Sequence, residues 1–444
     1  MGRALLTDLY ELNMAASYLR RGMDGTATFS LFVRELPATR GFLVAAGLEA
    51  CLAFLEDLRF EPEDLDYLLD ELGFDERALE AFRDLRFTGD VWAVPEGRIV
   101  LAEEPLLEVT APIAQGQLVE TFLLNRITLE TMLASKAARC VIAAGGRELV
   151  DFSMRRTHGP DAAEAVARTS AMVGFVATSN VEAARRLGLR AAGTMAHSYV
   201  EAFPTEREAF RAFAQDYPDR CTFLVDTFDT LEGVRIAIEV IRDLGLEDGL
   251  AIRLDSGDLQ ELAAGARRLL DDAGLGRVRI FASGGLDELQ IEELVGAGTP
   301  IDAFGVGTRM GVSADAPYLD SVYKLVEYAD RPVAKLSTGK ASPPGPKQVF
   351  RGDGPAHDVL ALRGEDQPPG SVPLLEPAME DGRRLRVAEP LSDATERFRR
   401  DLDALPEEAR RLEGPVAPAA HRSERVQALA DELRAEHGGR EPPA

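Results

Sequence analysis

From Arg147 onward the chain repeats a short β-rich run followed by a helical run. RELVDFSMR precedes PDAAEAVARTSAM, GFVATS precedes NVEAARRLG, and LRAAGTMA precedes PTEREAFRAFAQDY. CTFLVDT, GLAIRLDSG, RVRIFASGG and IDAFGVG continue the rhythm, with DTLEGVRIAIEVIRDLG, DLQELAAGARRLLDDAG and LDELQIEELVGAG between them. Seven β-α steps in about 160 residues imply a parallel sheet, and that number favours closure into a barrel over an open sheet. In PTERE, Thr205 and Glu208 have capping-box spacing and mark one helix start.

The flanks follow other patterns. Residues 1–120 mix an early helix, TDLYELNMAASYLRRG, with strand-like TATFSLFVREL and DVWAVPEGRIV and acidic amphipathic segments, which reads as an α+β module. A long apolar helix, QLVETFLLNRITLETMLASKAARCVIAAG, leads into the barrel, giving a catalytic domain over 121–330. Residues 331–390 form a strand and loop segment expected to pack back on the N-terminal domain, and 391–444 a charged helical tail ending in disordered GGREPPA.

Composition excludes several classes. With 444 residues, 45% of them apolar and 28% charged, the balance is that of a soluble globular protein of more than one domain. A net charge of -25 argues against a phosphate-backbone partner, so any phosphate bound is small and held in a local pocket. Cys51, Cys140 and Cys221 are odd in number and lack C-x-x-C spacing, which argues against a disulfide framework or structural zinc. Asp8 and Glu11 interrupt the first apolar stretch, so it reads as neither signal peptide nor membrane span, and the expected compartment is a reducing cytoplasm.

Loops after the strands of a parallel barrel share one face, whatever their separation in sequence. Those positions carry Arg155 and Arg156, Ser179, His197, Asp226 and Thr227, then Arg253, Asp255 and Ser256. Ser283, Gly284 and Gly285, and Gly305, Gly307 and Thr308 complete the set. The two glycine loops can bring backbone N–H groups close to an anion, or can be ordinary tight turns. Arg253 offers a bidentate phosphate donor; Asp255 could accept ribose hydroxyls or hold Mg²⁺ through water, while Ser256 or Asp258 could simply cap a helix.

The sequence has no G-x-x-x-x-G-K-[ST], since Lys340 is followed by Ala341, and GVGTRMG spaces its glycines wrongly for a dinucleotide fingerprint. No H-E-x-x-H occurs; His158 reads as solvent-facing, and His357, His421 and His437 fall in tail segments. Taken alone, these residues describe a cytosolic barrel enzyme for a small phosphorylated sugar.

TDLYELNMA, FSLFVREL, GFLVAAGLE, LLNRITLETMLASKAAR, DFSMRRTHGPDAA, GTMAHSYV, LVDTFDTLEGV, IRLDSGDL, FASGGLDE and FGVGTRM together resemble the nicotinate phosphoribosyltransferase family, in family order from residue 7 to about 350. The resemblance implies an irregular β/α barrel of the type II phosphoribosyltransferases. It also implies an N-terminal domain that contributes to a neighbouring subunit's site. The implied reaction joins nicotinate to 5-phosphoribosyl-1-pyrophosphate with Mg²⁺ and ATP hydrolysis, in NAD salvage.

By the same resemblance His197 is the residue that ATP phosphorylates, and Phe152 and Tyr10 sandwich the pyridine ring, Tyr10 from the partner subunit. Arg155 lies near the ring carboxylate, and Arg34, again from the partner, near a phosphate, so an obligate homodimer is implied. Ser179 occupies the place where the nicotinamide-using relative has an aspartate. A carboxylate there would repel nicotinate, whereas a serine hydroxyl can donate to it.

The alternatives are a nicotinamide or quinolinate phosphoribosyltransferase, a sugar-phosphate aldolase or isomerase barrel, and a non-catalytic nucleotide-binding barrel. The aldolase or isomerase reading wants a Schiff-base lysine or a positioned carboxylate pair at a strand end, and no strand end carries a lysine. The loop at 337–347, with Lys340 and Lys347, is either a mobile cover near the nucleotide or a rigid surface loop.

Overall fold

The computed structural model describes residues 3–335 and 342–436. Lys340, His437 and GGREPPA lie outside the described residues. The chain divides into two compact units, Met1–Ser135 with Tyr318–Ala444, and Lys136–Pro317.

The second unit contains the β-α alternation. Its strands are β1 (Glu148–Asp151), β2 (Ala177–Thr178), β3 (Thr222–Leu224), β4 (Ala251–Leu254), β5 (Arg279–Ala282) and β6 (Ala303–Val306). They form one parallel sheet in the order β2-β1-β6-β5-β4-β3. Because the first strand pairs with the last, the sheet curls round, and its open seam lies between β2 and β3. Phe223, Ile252, Leu254, Ile280, Ala282, Phe304 and Val306 are fully buried along it. Each crossover helix seals this core with a stripe at three- and four-residue spacing; Val234, Ala237, Ile238 and Ile241 are the buried face of Thr230–Leu244.

The open seam is where LRAAGTMA suggests a strand. Only a one-residue parallel bridge forms there, Thr178 to Ala191, with the Thr178 N–H on the Arg190 carbonyl at 3.0 Å and the Ala192 N–H on the Thr178 carbonyl at 2.9 Å. An Ala-Ala-Gly run has small side chains and little to pack against a pleated neighbour, so the ladder does not propagate. His197 consequently opens a short helix, His197–Glu201, instead of ending a strand. At the next helix Thr205 caps the Glu208 N–H at 3.2 Å, but the Glu208 carboxylate takes the Thr205 hydroxyl proton at 3.0 Å, so the box is half formed.

In the other unit a seven-stranded antiparallel sheet combines Thr26–Val33, Pro105–Pro112 and Asp90–Ala93 with Ser321–Tyr328 and Glu376–Glu380. The helix Leu391–Asp403 packs on the turn between Asp90–Ala93 and Ile99–Val100 at Gly97, where an added Cβ would sit 2.1 Å from the Ala394 carbonyl oxygen. Among the described residues no helix is long and apolar enough to cross a membrane.

Candidate active site

The C-terminal ends of β4 and β5 and the segment before His197 are bound together around the Arg253 guanidinium, and the end of β3 joins them through Asp226. Arg253 Nε donates to Ser283 Oγ at 2.7 Å, Nη1 to Thr194 Oγ1 at 3.1 Å and Nη2 to Asp255 Oδ1 at 2.5 Å. The Ser283 hydroxyl in turn donates to the same Asp255 oxygen at 2.5 Å. On the other side, the Asp255 backbone N–H and the Ser256 hydroxyl both donate to Asp226 Oδ2, at 3.0 and 2.5 Å. Charge-assisted bonds of this kind fix side-chain direction, so the face has a preset geometry.

His197 stands beside this network. Its Nδ1 is 3.2 Å from Thr227 Oγ1, and its Nε2 is 4.0 Å from Asp255 Oδ2. With Nδ1 carrying the proton and donating to Thr227, Nε2 keeps its lone pair. Burial pushes the Asp255 carboxyl upward, but the Ser283 hydrogen bond and the Arg253 guanidinium outweigh it and hold it below the ordinary carboxylate range. Asp226 Oδ1 is buried and has no hydrogen-bond partner among the described residues.

The aromatic part of the face belongs to β1 and β6. Phe152, one residue beyond β1, tilts on Phe281 at 5.6 Å between centroids, and the Arg253 guanidinium carbon lies 5.4 Å from its ring centre. Gly305 is buried inside β6, and a Cβ there would come within 2.7 Å of the Phe152 ring, so this glycine makes room for the aromatic. A Cβ on Gly307 would lie 3.0 Å from the Phe152 carbonyl oxygen, and the exposed Thr308 follows it. Ser179 is half-buried beyond β2, while Arg155, Arg156 and His158 are exposed in the loop after β1.

Gly284 and Gly285 have φ of 99° and 76°, a region L side chains rarely adopt. A Cβ on Gly284 would also meet the Asp255 carbonyl oxygen at 1.9 Å. Gly284→Ala is therefore expected to lower stability by about 2 kcal/mol or more and to move Asp255. Thermal unfolding measured beside Gly285→Ala, which has open space at its Cβ, checks the steric part.

The structure thus brings together His197, Arg253, Asp255, Ser256 and the glycine loop at 284–285. Phe152 joins them through Arg253. Tyr10 and Arg34 belong to the other unit, where Tyr10 is 47% exposed and Arg34 pairs with Asp320 at 3.2 Å. The sequence alone does not mark Thr194 or Asp151 as site residues. Their only signal is a polar residue next to a strand run, in AAGTMAH and LVDF.

A curled six-stranded parallel sheet with this polar strand-end face has the architecture of the type II phosphoribosyltransferases. The human nicotinic acid phosphoribosyltransferase crystal structure superposes with a TM-score of 0.85 at 28% identity, covering 96% of this chain and 99% of that one. Residues 5–128 match the model for the nicotinate phosphoribosyltransferase (NAPRTase) N-terminal domain, and residues 147–346 match that of the nicotinate phosphoribosyltransferase (NAPRTase) family. The nicotinate phosphoribosyltransferase pncB2 of Mycobacterium tuberculosis is 51% identical over 92% of this chain and 89% of its own length. The Bacillus subtilis nicotinate phosphoribosyltransferase is 39% identical over 89% and 81%. The chain belongs to the nicotinate phosphoribosyltransferase family.

Proposed function

We propose that the chain joins nicotinate to 5-phosphoribosyl-1-pyrophosphate, giving nicotinate mononucleotide and pyrophosphate, and that ATP hydrolysis drives this through a phosphohistidine at His197. The observation that carries the coupling is the placement of His197, with Nδ1 on Thr227 and Nε2 facing Asp255 beside the Arg253 network. In the first step Nε2 attacks the γ-phosphorus, the N–P bond forms, the bond to the β-phosphate oxygen breaks and ADP leaves. In the second, the pyridine nitrogen attacks the anomeric carbon, the carbon–oxygen bond to pyrophosphate breaks, and the quaternary pyridinium remains on the ribose. Water then cleaves the N–P bond and releases phosphate.

The transferring carbon needs no strong general base, because the pyridine nitrogen brings its own lone pair. It needs a site that stabilises leaving pyrophosphate. Arg253, Ser256, the N–H groups at Gly284, Gly285 and Gly307, and Thr308 are the donors assigned to the phosphates. Asp255 and the unpartnered Oδ1 of Asp226 fit Mg²⁺, which binds through one or two carboxylates plus substrate phosphates and supplies charge neutralisation. Phe152 stacks on the pyridine, with Tyr10 from a partner subunit on its other face; Arg155 faces the carboxylate, and Arg34 of the partner a phosphate. This reading makes the enzyme a homodimer with shared sites. It works in a reducing cytoplasm, where the buried Cys51, Cys140 and Cys221 remain thiols.

The assay that tests the function measures product from phosphoribosyl pyrophosphate and Mg²⁺ with nicotinate or nicotinamide, each with and without ATP. Nicotinate mononucleotide, strongly stimulated by ATP with ADP released in step, is the expected result; turnover of neither base would overturn it. Ser179→Asp places a carboxylate against the nicotinate carboxylate. It is expected to lower kcat/KM for nicotinate by about 100-fold while sparing nicotinamide. An unchanged ratio of the two bases would remove Ser179 from base selection.

A further inference from the structure

Beneath the base end of the face lies a carboxylate that the mechanism does not use. Asp151, the last residue of β1, is 0% exposed. Its Oδ1 accepts the Ser153 N–H at 2.8 Å, and its Oδ2 accepts the Thr178 hydroxyl at 2.7 Å. Thr178, the last residue of β2, is 1% exposed, and its oxygen accepts the Asn180 N–H at 3.0 Å. Asn180 then caps the next helix through Oδ1 on the Ala183 N–H at 3.1 Å. The Ser179 N–H donates to the Asp151 backbone carbonyl at 2.8 Å.

Two features separate this chain of bonds from ordinary core packing. The acid lies on both sides of Phe152, since its backbone precedes the aromatic and its side chain holds Ser153 behind it. It also fixes the Thr178 rotor: with the hydroxyl proton committed to Oδ2, a lone pair is left for Asn180, and the turn that carries Ser179 is held on both sides. The carboxylate meets both demands as an acceptor, one oxygen taking a backbone N–H and the other the hydroxyl proton, whereas an amide could reach Thr178 only as a donor, with the hydroxyl turned away. Burying it is costly. Its burial, opposed by these hydrogen bonds, still raises the carboxyl above its ordinary range.

We propose that Asp151 and Thr178 are positioning residues that act as one unit, holding Ser179 and Phe152 in the register that selects a pyridine carboxylate over a carboxamide. The proposal rests on the nicotinate reading. It assigns part of base specificity to two buried residues that touch no substrate.

The test compares Asp151→Asn, Thr178→Val, Thr178→Ser and the Asp151→Asn/Thr178→Val double variant with the parent enzyme. Nicotinate and nicotinamide kinetics are measured beside amide hydrogen exchange over residues 176–182. The nicotinate-to-nicotinamide ratio of kcat/KM should fall about tenfold or more in Asp151→Asn and Thr178→Val, with KM for phosphoribosyl pyrophosphate within about twofold of the parent. The double variant should be no worse than either single one, and Thr178→Ser, which keeps the hydroxyl, should restore the ratio. Protection at Ser179 and Asn180 should drop in the same variants that lose selectivity. An unchanged ratio, an equal loss for both bases with a matching rise in KM for the sugar donor, or unchanged exchange in Asp151→Asn would each overturn the proposal. A parent that turns over neither base overturns the nicotinate reading instead, and the exchange measurement still decides whether the Asp151–Thr178–Asn180 link holds the turn.

Discussion

Replacing His197 by asparagine is expected to abolish phosphoryl transfer from ATP while leaving the barrel folded. Asparagine is close to histidine in size, and its amide can still reach Thr227, so the 3.2 Å contact has a substitute. It has no nitrogen that can accept the γ-phosphorus. ATP hydrolysis should fall by at least about 10³-fold, as it does when a covalent nucleophile is removed from a catalytic unit. The acid-labile, base-stable label left on the parent by γ-labelled ATP should disappear.

ATP-independent formation of nicotinate mononucleotide should survive in His197→Asn, because the pyridine nitrogen, the phosphate donors and the Arg253 network are untouched. That asymmetry is the informative part of the experiment. A variant that still hydrolyses ATP at the parent rate would remove His197 from the coupling, and one that loses both reactions equally would show that His197 serves the transfer step directly.

Most of the strand-end face is legible in the sequence, although the segment that carries His197 is not. The β-α rhythm after Arg147 is legible because each crossover helix must present an apolar stripe and each strand an apolar run, and both leave periodic traces. Once the barrel is inferred, topology alone carries Asp226, Arg253, Asp255 and Ser283 to one face. LRAAGTMA misleads, since an apolar run reads as a strand, while strand formation depends on the neighbour it packs against, and here one bridge forms. Hydrogen-bond partners are illegible for a different reason. Nothing in the spacing of Thr194 and Arg253, or of Asp151 and Thr178, announces a bond between residues dozens of positions apart. The same holds for the buried Lys136, which meets Glu288 at 2.5 Å and Asp315 at 2.7 Å, where the sequence shows only a lone lysine in an apolar helix. Gly305 illustrates a third limit: a glycine read as a possible anion cradle also serves to admit the Phe152 ring.

Asp255→Asn should be the most damaging conservative change on the phosphate side of the face. The carboxylate accepts from Arg253 and Ser283 on one oxygen and lies 4.0 Å from His197 Nε2 with the other, so neutralising it removes the counter-charge to a guanidinium and an anion beside the His197 imidazole. A loss of about 10² to 10³ in kcat/KM is expected, the range for removing one preorganised electrostatic group. The loss should fall on the sugar donor and on the Mg²⁺ concentration needed for half-maximal activity more than on KM for nicotinate, because Phe152 and Ser179 keep their supports. The pH dependence has a definite sign. The folded carboxyl titrates below its unfolded value, so ionised Asp255 contributes stability that is fully present above the unfolded pKa of about 3.9 and is lost as pH falls through the lower folded value. Between neutral pH and that acid limit its charge is constant, and any activity change near neutrality must come from another group. In Asp255→Asn the acid limb of unfolding below about pH 4 should be shallower than in the parent, while the neutral pH profile keeps its shape at a lower rate. A variant whose neutral profile changes shape would show that Asp255 exchanges a proton during turnover, and its part in the site would then be that of an acid or base rather than a fixed charge.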